Sequence, residues 1–149
     1  MTMTGRVPSE RRTVVDADGR VKAYRPMAAP ERTAAVIAGL RAYAAGDFFE
    51  AHELMEPAWM GTDDPAERDL ISGLIKLAAA DVHGVRGNPR GVARNLEGAR
   101  VRLRRVPDGG AVADVWVELP ELLAAVDQRL ADLDADRPTN PVALSWNPR

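Results

Sequence analysis

Leu70-Ile71-Ser72-Gly73-Leu74-Ile75-Lys76-Leu77-Ala78-Ala79-Ala80-Asp81-Val82-His83-Gly84-Val85 decides the fold. Its apolar residues Leu70, Ile71, Leu74, Ile75, Leu77, Ala78, Ala79, Ala80, Val82 and Val85 cover nearly the whole circumference of a helix, and such a helix belongs at the centre of a bundle. Ahead of it Asp64-Pro65-Ala66-Glu67 supplies a cap, a first-turn proline and an acidic third position; Gly87 ends it after about Arg86. The remaining side chains Ser72, Lys76, Asp81 and His83 must be covered by neighbours or reach the surface.

Upstream, Pro30 opens a helix with Val36, Ile37, Leu40 and Tyr43 on one stripe, and Gly46 stops it. Asp47-Phe48-Phe49-Glu50 has capping-box spacing, so a second helix starts at once; Pro57 is expected to kink or end it before the turn at Gly61-Thr62-Asp63-Asp64. Downstream, Asn88-Pro89 caps a fourth helix striped by Val92, Leu96, Ala99, Leu103 and Val106 and ending at Pro107. Asp108-Gly109-Gly110 begins a loop, and Leu119, Leu122, Val126, Leu130 and Leu133 mark a last helix. The expectation is an all-α, single-domain helical bundle of about five main helices, one central helix ringed by the others. It places an extended N-terminal arm at 1–29, the bundle at 30–135 and an extended tail at 136–149, with Trp146 as a candidate anchor. Within the arm, Thr13-Val14-Val15 and 21–24 read as short extended pieces around a turn at Asp16-Ala17-Asp18-Gly19, which lacks the closing glutamate of a calcium loop.

Composition narrows the chemistry. With no cysteine among 149 residues there is no disulfide framework, thiolate metal site or thiol nucleophile, so oxygen and imidazole chemistry remain. No apolar run approaches the ~18 residues needed to span a bilayer, and residues 1–12 carry charge and Pro8 where a signal peptide needs an apolar segment. A cytoplasmic protein without membrane contact is expected. The net charge of -2 and pI near 5.7 argue against a general polyanion binder. The fourth helix is nevertheless basic, with Arg86, Arg90, Arg94, Arg100, Arg102, Arg104 and Arg105 near it. The last helix is acidic, with Arg129 as its lone cation, and is expected to neutralise the fourth; no aromatic residues interleave the arginines to stack bases, so nucleic acid is not the expected partner.

The candidate site lies in Phe48-Phe49-Glu50-Ala51-His52-Glu53-Leu54-Met55-Glu56. At 100° per residue Phe48, His52, Met55 and Trp59 fall within about 60° of one another, with Glu56 some 40° beyond His52, while Glu50 and Glu53 turn toward solvent. On the central helix Ser72, Lys76, Ala79 and His83 share a stripe. If that stripe faces the second helix, His52, Glu56, Lys76 and His83 converge as a hydrogen-bonded polar cluster in the core. A sharper alternative is a divalent metal held by His52, Glu56 and His83, because imidazole and carboxylate suit zinc, iron or manganese. Acid-base catalysis by His52 and Glu56 is the third reading, since a carboxylate beside an imidazole moves its titration across neutral pH.

The motif spanning 48–59, then Gly73-Leu74-Ile75-Lys76-Leu77-Ala78-Ala79-Ala80 leading to His83, then Arg86-Gly87-Asn88-Pro89-Arg90-Gly91, resemble the prokaryotic domain-of-unknown-function family numbered 309, over roughly residues 35 to 106. The resemblance implies an all-helical bundle with one ringed central helix and no established activity. It also implies a recurrent set at Phe48, Phe49, His52, Glu53, Glu56, Trp59 and His83; Lys76 stands where the family often carries glutamine, and Asp81 where an apolar residue is usual. The corners at Gly46-Asp47-Phe48 and Gly87-Asn88-Pro89 look like those between paired helices in tetratricopeptide-type scaffolds. The leading expectation is therefore a binding or interaction module, for a protein partner, a second copy of the chain or a small ligand, with a metal-dependent or acid-base enzyme, whose reaction could be hydrolytic, as the competitor.

Overall fold

The structure, a computed structural model, describes residues 13–15, 21–107 and 109–148. In chain order the elements are β1 (Thr13–Val15), β2 (Val21–Ala23), α1 (Ala29–Ala44), α2 (Phe48–Met60), α3 (Pro65–Val85), α4 (Pro89–Leu103), β3 (Ala111–Val112), β4 (Val115–Val117), α5 (Leu119–Asp134) and β5 (Trp146–Pro148). The chain is an all-α bundle with small sheet elements attached.

α3 takes the central place its apolar circumference demands. The Asp64 carboxylate accepts from the Glu67 amide to cap it, and Leu70, Ile71, Leu74, Leu77, Ala78 and Ala80 are fully buried. α2 and α4 pack along it. It reaches α1 through Glu67, which accepts from Arg32 at 2.9 Å, and α5 through Asp81, whose carboxylate lies 2.8 Å from Arg129. Two glycines set how near the helices come. A Cβ on Gly39 of α1 would overlap the Met55 side chain of α2, and one on Gly73 of α3 would stand 2.5 Å from Leu103 Cδ2 of α4.

Local signals fail at three places. α2 runs through Pro57 to Met60, because the missing N–H costs only the bond to the Glu53 carbonyl, at a residue exposed enough for water to replace it. Asp47 opens α2 without a side-chain cap, so the capping-box spacing is not used. α4 stops at Leu103, a turn before Pro107.

Between α4 and α5 the expected loop holds the hairpin β3-β4, and the tail adds β5 to it, pairing Val117 with Trp146 and Val115 with Pro148. Val112, Val115 and Val117 are at most 1% exposed, so this sheet forms part of the core wall. Its turn puts Ala113 at φ 48, a backbone conformation that a non-glycine residue adopts at a cost. Tertiary bonds hold it there: the Ala113 amide donates to Glu67 Oε2 (3.0 Å) and the Asp114 amide to Thr33 Oγ1 (3.2 Å).

At the other end of the chain β1 and β2 pair antiparallel, with Thr13 opposite Ala23; the expected turn at Asp16 to Gly19 lies outside the described residues. The Arg25 amide donates to the Met60 carbonyl and the Met27 amide to that of Gly61, tying this segment to the end of α2. Among the described residues, no helix is long and apolar enough to cross a membrane.

Candidate functional site

His52 and His83 line one small cavity of about 170 Å³ between α2 and α3, together with Phe49, Ala79, Val82 and Arg86. Neither Glu56 nor Lys76 lines it. The Lys76 stem and ammonium instead lie across Gly98 of α4, about 3.0 Å from where a Cβ would be. All four residues are half-buried, at the edge of the bundle rather than in its core. His52 stacks on Phe49 with ring planes 10° apart, and the carboxylate that approaches its Nδ1 is that of Glu53, at 3.7 Å, too far for a hydrogen bond. His83 is engaged locally. Asn88 Oδ1 accepts from the Gly91 amide, so the Asn88 amide group faces His83 Nδ1 at 3.1 Å and donates to it. That places the hydrogen of a neutral His83 on Nε2 and leaves Nδ1 unavailable as a metal ligand. Among the described residues, no three His, Asp or Glu side chains come together to hold a metal ion, so His52, Glu56 and His83 do not form a three-ligand set.

The buried charges lie elsewhere, on residues that the histidine-centred reading passed over. Asp81 of α3 is 3% exposed and Arg129 of α5 is 7% exposed. The Tyr43 hydroxyl of α1 shares its single hydrogen between Asp81 Oδ2 (3.0 Å) and the Val142 carbonyl (2.8 Å), and Arg129 Nε donates to Thr139 Oγ1 at 3.3 Å. Three helices and the tail therefore meet at one polar knot. The spacing contained a signal for it: Arg129 stands three residues after Val126 and seven after Leu122, on the buried stripe of α5. Asp81, the one acid in the second half of an all-round apolar helix, was its natural partner.

Burial, and then the neighbouring Asp81 carboxylate, push the Tyr43 hydroxyl far above the ordinary tyrosine value of about 10. Because the folded state holds this proton more tightly than the unfolded chain, its stabilising effect is complete below pH ~10 and is lost as pH rises above that value. Thermal melts from pH 8 to 11 are expected to show Tm falling above about pH 10. Tyr43→Phe, less stable by about 1–3 kcal/mol at neutral pH, should show a shallower fall; an identical fall in both proteins would refute the assignment.

The two helical corners stand side by side. Gly46 and Gly87 both adopt positive φ (84° and 70°), as the ends of α1 and α3 require. Between the corners lies a cavity of about 440 Å³ lined by Phe48, Phe49, Val82 and Val85, with Asp47 and Glu50 contributed from the start of α2 and Arg86 from the end of α3. Phe49 is 63% exposed and Val85 78%. Phe48 turns inward to meet Tyr43 edge-on at 5.2 Å, and so joins this surface to the polar knot.

Residues 36–95 match the family model described as Domain of unknown function (DUF309). This is the family that the motifs resemble, and the matched segment contains His52, Glu56, Lys76, Asp81, His83 and both corners. No curated protein and no solved structure matches the chain. Arg129 and the tail residues Thr139 and Val142, which complete the polar knot, lie beyond the matched segment.

The basic helix is compensated in part by its expected partner. Arg100 of α4 and Arg104, just past its end, both reach Asp127 of α5 (3.3 and 3.7 Å), while Arg102 turns to Asp69 of α3 (3.3 Å). These ion pairs use charge that a phosphate backbone would need.

Proposed function

We propose that this protein is a binding module, and that the paired helical corners form its docking surface for an apolar segment of another protein. One observation carries the reading: two of the three exposed large hydrophobic residues among those described, Phe49 from the start of α2 and Val85 from the end of α3, line the same cavity. Single exposed apolar side chains are ordinary, whereas a pair flanking a concavity with a polar rim has the anatomy of an interface. The rim sets the partner's charges. Asp47 and Glu50 call for a basic residue on one side, and Arg86 for an acidic residue on the other. Acid-base chemistry by His52 and Glu56 is less well supported, because Glu56 does not border the cavity that His52 lines.

Panning a displayed library of random peptides against the protein tests this. Enriched peptides should carry apolar residues with flanking charges and bind with Kd in the micromolar range. The pair Phe49→Asp and Val85→Asp should weaken them about tenfold or more without lowering Tm. Val101→Asp, at the third exposed hydrophobic, on α4, should leave binding unchanged. Failure to enrich any peptide, or binders indifferent to residues 49 and 85, would refute the proposal.

A further inference from the structure

We infer that a third cavity, bordered by the Asp81–Arg129 pair, is a binding site for an apolar ligand carrying an uncharged carbonyl group, such as an amide. Phe48 and Val85 border both this cavity and the docking surface, but the inference rests on Arg129, which borders this cavity and is not among the residues lining the other. The cavity holds about 390 Å³, within the range of small-ligand sites, and its walls include Phe48, Val85, Val92 and Leu133. Arg129 lines it although only 7% of the residue is exposed.

The guanidinium carries five N–H groups, and among the described residues Nε has an aligned acceptor while Nη1 has none. Nε donates to Thr139 Oγ1 at 3.3 Å, a long bond. Nη1 lies 2.8 Å from Asp81 Oδ1, close enough to balance charge, yet none of its hydrogens is aligned on an acceptor. Nη2 lies toward Gly84, 4.0 Å from the point where a Cβ would stand. A buried cation with charge matched but donors unmatched calls for an acceptor rather than for another charge. An amide or ketone oxygen supplies one. A carboxylate would bring a second anion beside Asp81, which is itself held at Oδ1 by Arg129 and at Oδ2 by Tyr43.

The ligand's apolar part follows from the walls. Phe48, Val85 and Leu133 offer contact to an aliphatic or aromatic group a few carbons long, and Gly84 leaves open the approach to Nη2. Such chemistry exists both in free small-molecule amides and in the main chain of an apolar peptide.

The test uses the full-length protein and two-dimensional amide NMR with three probes: hexanamide, hexanoate, and leucyl-leucine blocked at both ends. Hexanamide should shift the backbone signals of Gly84 and Gly87 and the Arg129 Nε–H signal, and should bind about tenfold more tightly than hexanoate. Tighter binding by the blocked dipeptide than by hexanamide would assign the natural ligand to peptides, and the reverse order to small amides; either supports the site. Gly84→Leu, whose Cβ would meet nothing closer than 3.7 Å, should fill the cavity and abolish these shifts while Tm is kept. Arg129→Lys keeps the charge opposite Asp81 but removes the planar donors, and should weaken hexanamide while leaving hexanoate little changed. Hexanoate binding more tightly than hexanamide would overturn the proposal. So would shifts that persist in Gly84→Leu, or no shift at about 20 mM of any probe.

Discussion

Asp81→Ala is expected to destabilise the protein by about 3–5 kcal/mol, which for a domain of this size lowers Tm by about 10 °C or more. The loss exceeds that of an ordinary surface ion pair because both partners are almost wholly withdrawn from water. Removing the carboxylate strands the Arg129 guanidinium in the bundle and deprives the Tyr43 hydroxyl of one of its two acceptors. Arg129→Met should cost a similar amount for the converse reason. Replacing both at once, Asp81→Ala with Arg129→Met, should cost less than the two single losses added together, because no isolated charge then remains. Chemical denaturation of the four proteins provides the cycle. If the losses simply add, the two charges do not depend on each other and the polar knot is not a unit.

The second large effect concerns the crossing of α3 and α4. Leu103 is fully buried with its Cδ2 over Gly73, so Leu103→Ala should cost about 2–5 kcal/mol through lost burial and the cavity left behind. Gly73→Ala alone should also destabilise, by about 1–2 kcal/mol, because its Cβ would stand 2.5 Å from Cδ2 and 2.6 Å from Cγ of Leu103. That clash outweighs the roughly 1 kcal/mol that alanine gains over glycine in a helix. In the Leu103→Ala background the obstruction is gone. There Gly73→Ala should reverse sign and stabilise by about 1 kcal/mol, through helix propensity and partial filling of the cavity. Equilibrium unfolding in urea measures all four, and a destabilising Gly73→Ala in both backgrounds would show that the crossing is set by something other than Leu103.

The candidate site was legible only in part. His52 and His83 share a cavity as their stripes allowed, but helical arithmetic within α2 and α3 could not settle the rotation of one helix against the other. That rotation sends Lys76 across Gly98 and leaves Glu56 outside the cavity. Arg129 was visible as the lone cation of an acidic helix, and its place on the buried stripe could have been read from the same spacing that identified Val126. What could not be read was its meeting with Asp81, 48 positions away in the chain. The proposed docking surface combines both cases. Phe49 and Val85 stand at recognisable corners, yet their proximity depends on how the two corners pack.

Local chemistry by itself determined the helices: prolines at first turns, glycines with positive φ at Gly46 and Gly87, and apolar residues spaced at 3.6 or covering the whole of α3. Those signals act within a few residues, where a backbone hydrogen bond or a steric limit is decided by immediate neighbours. Only the tertiary structure decided the hairpin turn at Ala113, the pairing of the tail with β4, and the knot of Tyr43, Asp81 and Arg129. Each requires groups far apart in the chain to satisfy one another's bonds or charge, and no local preference encodes which distant partner will be present.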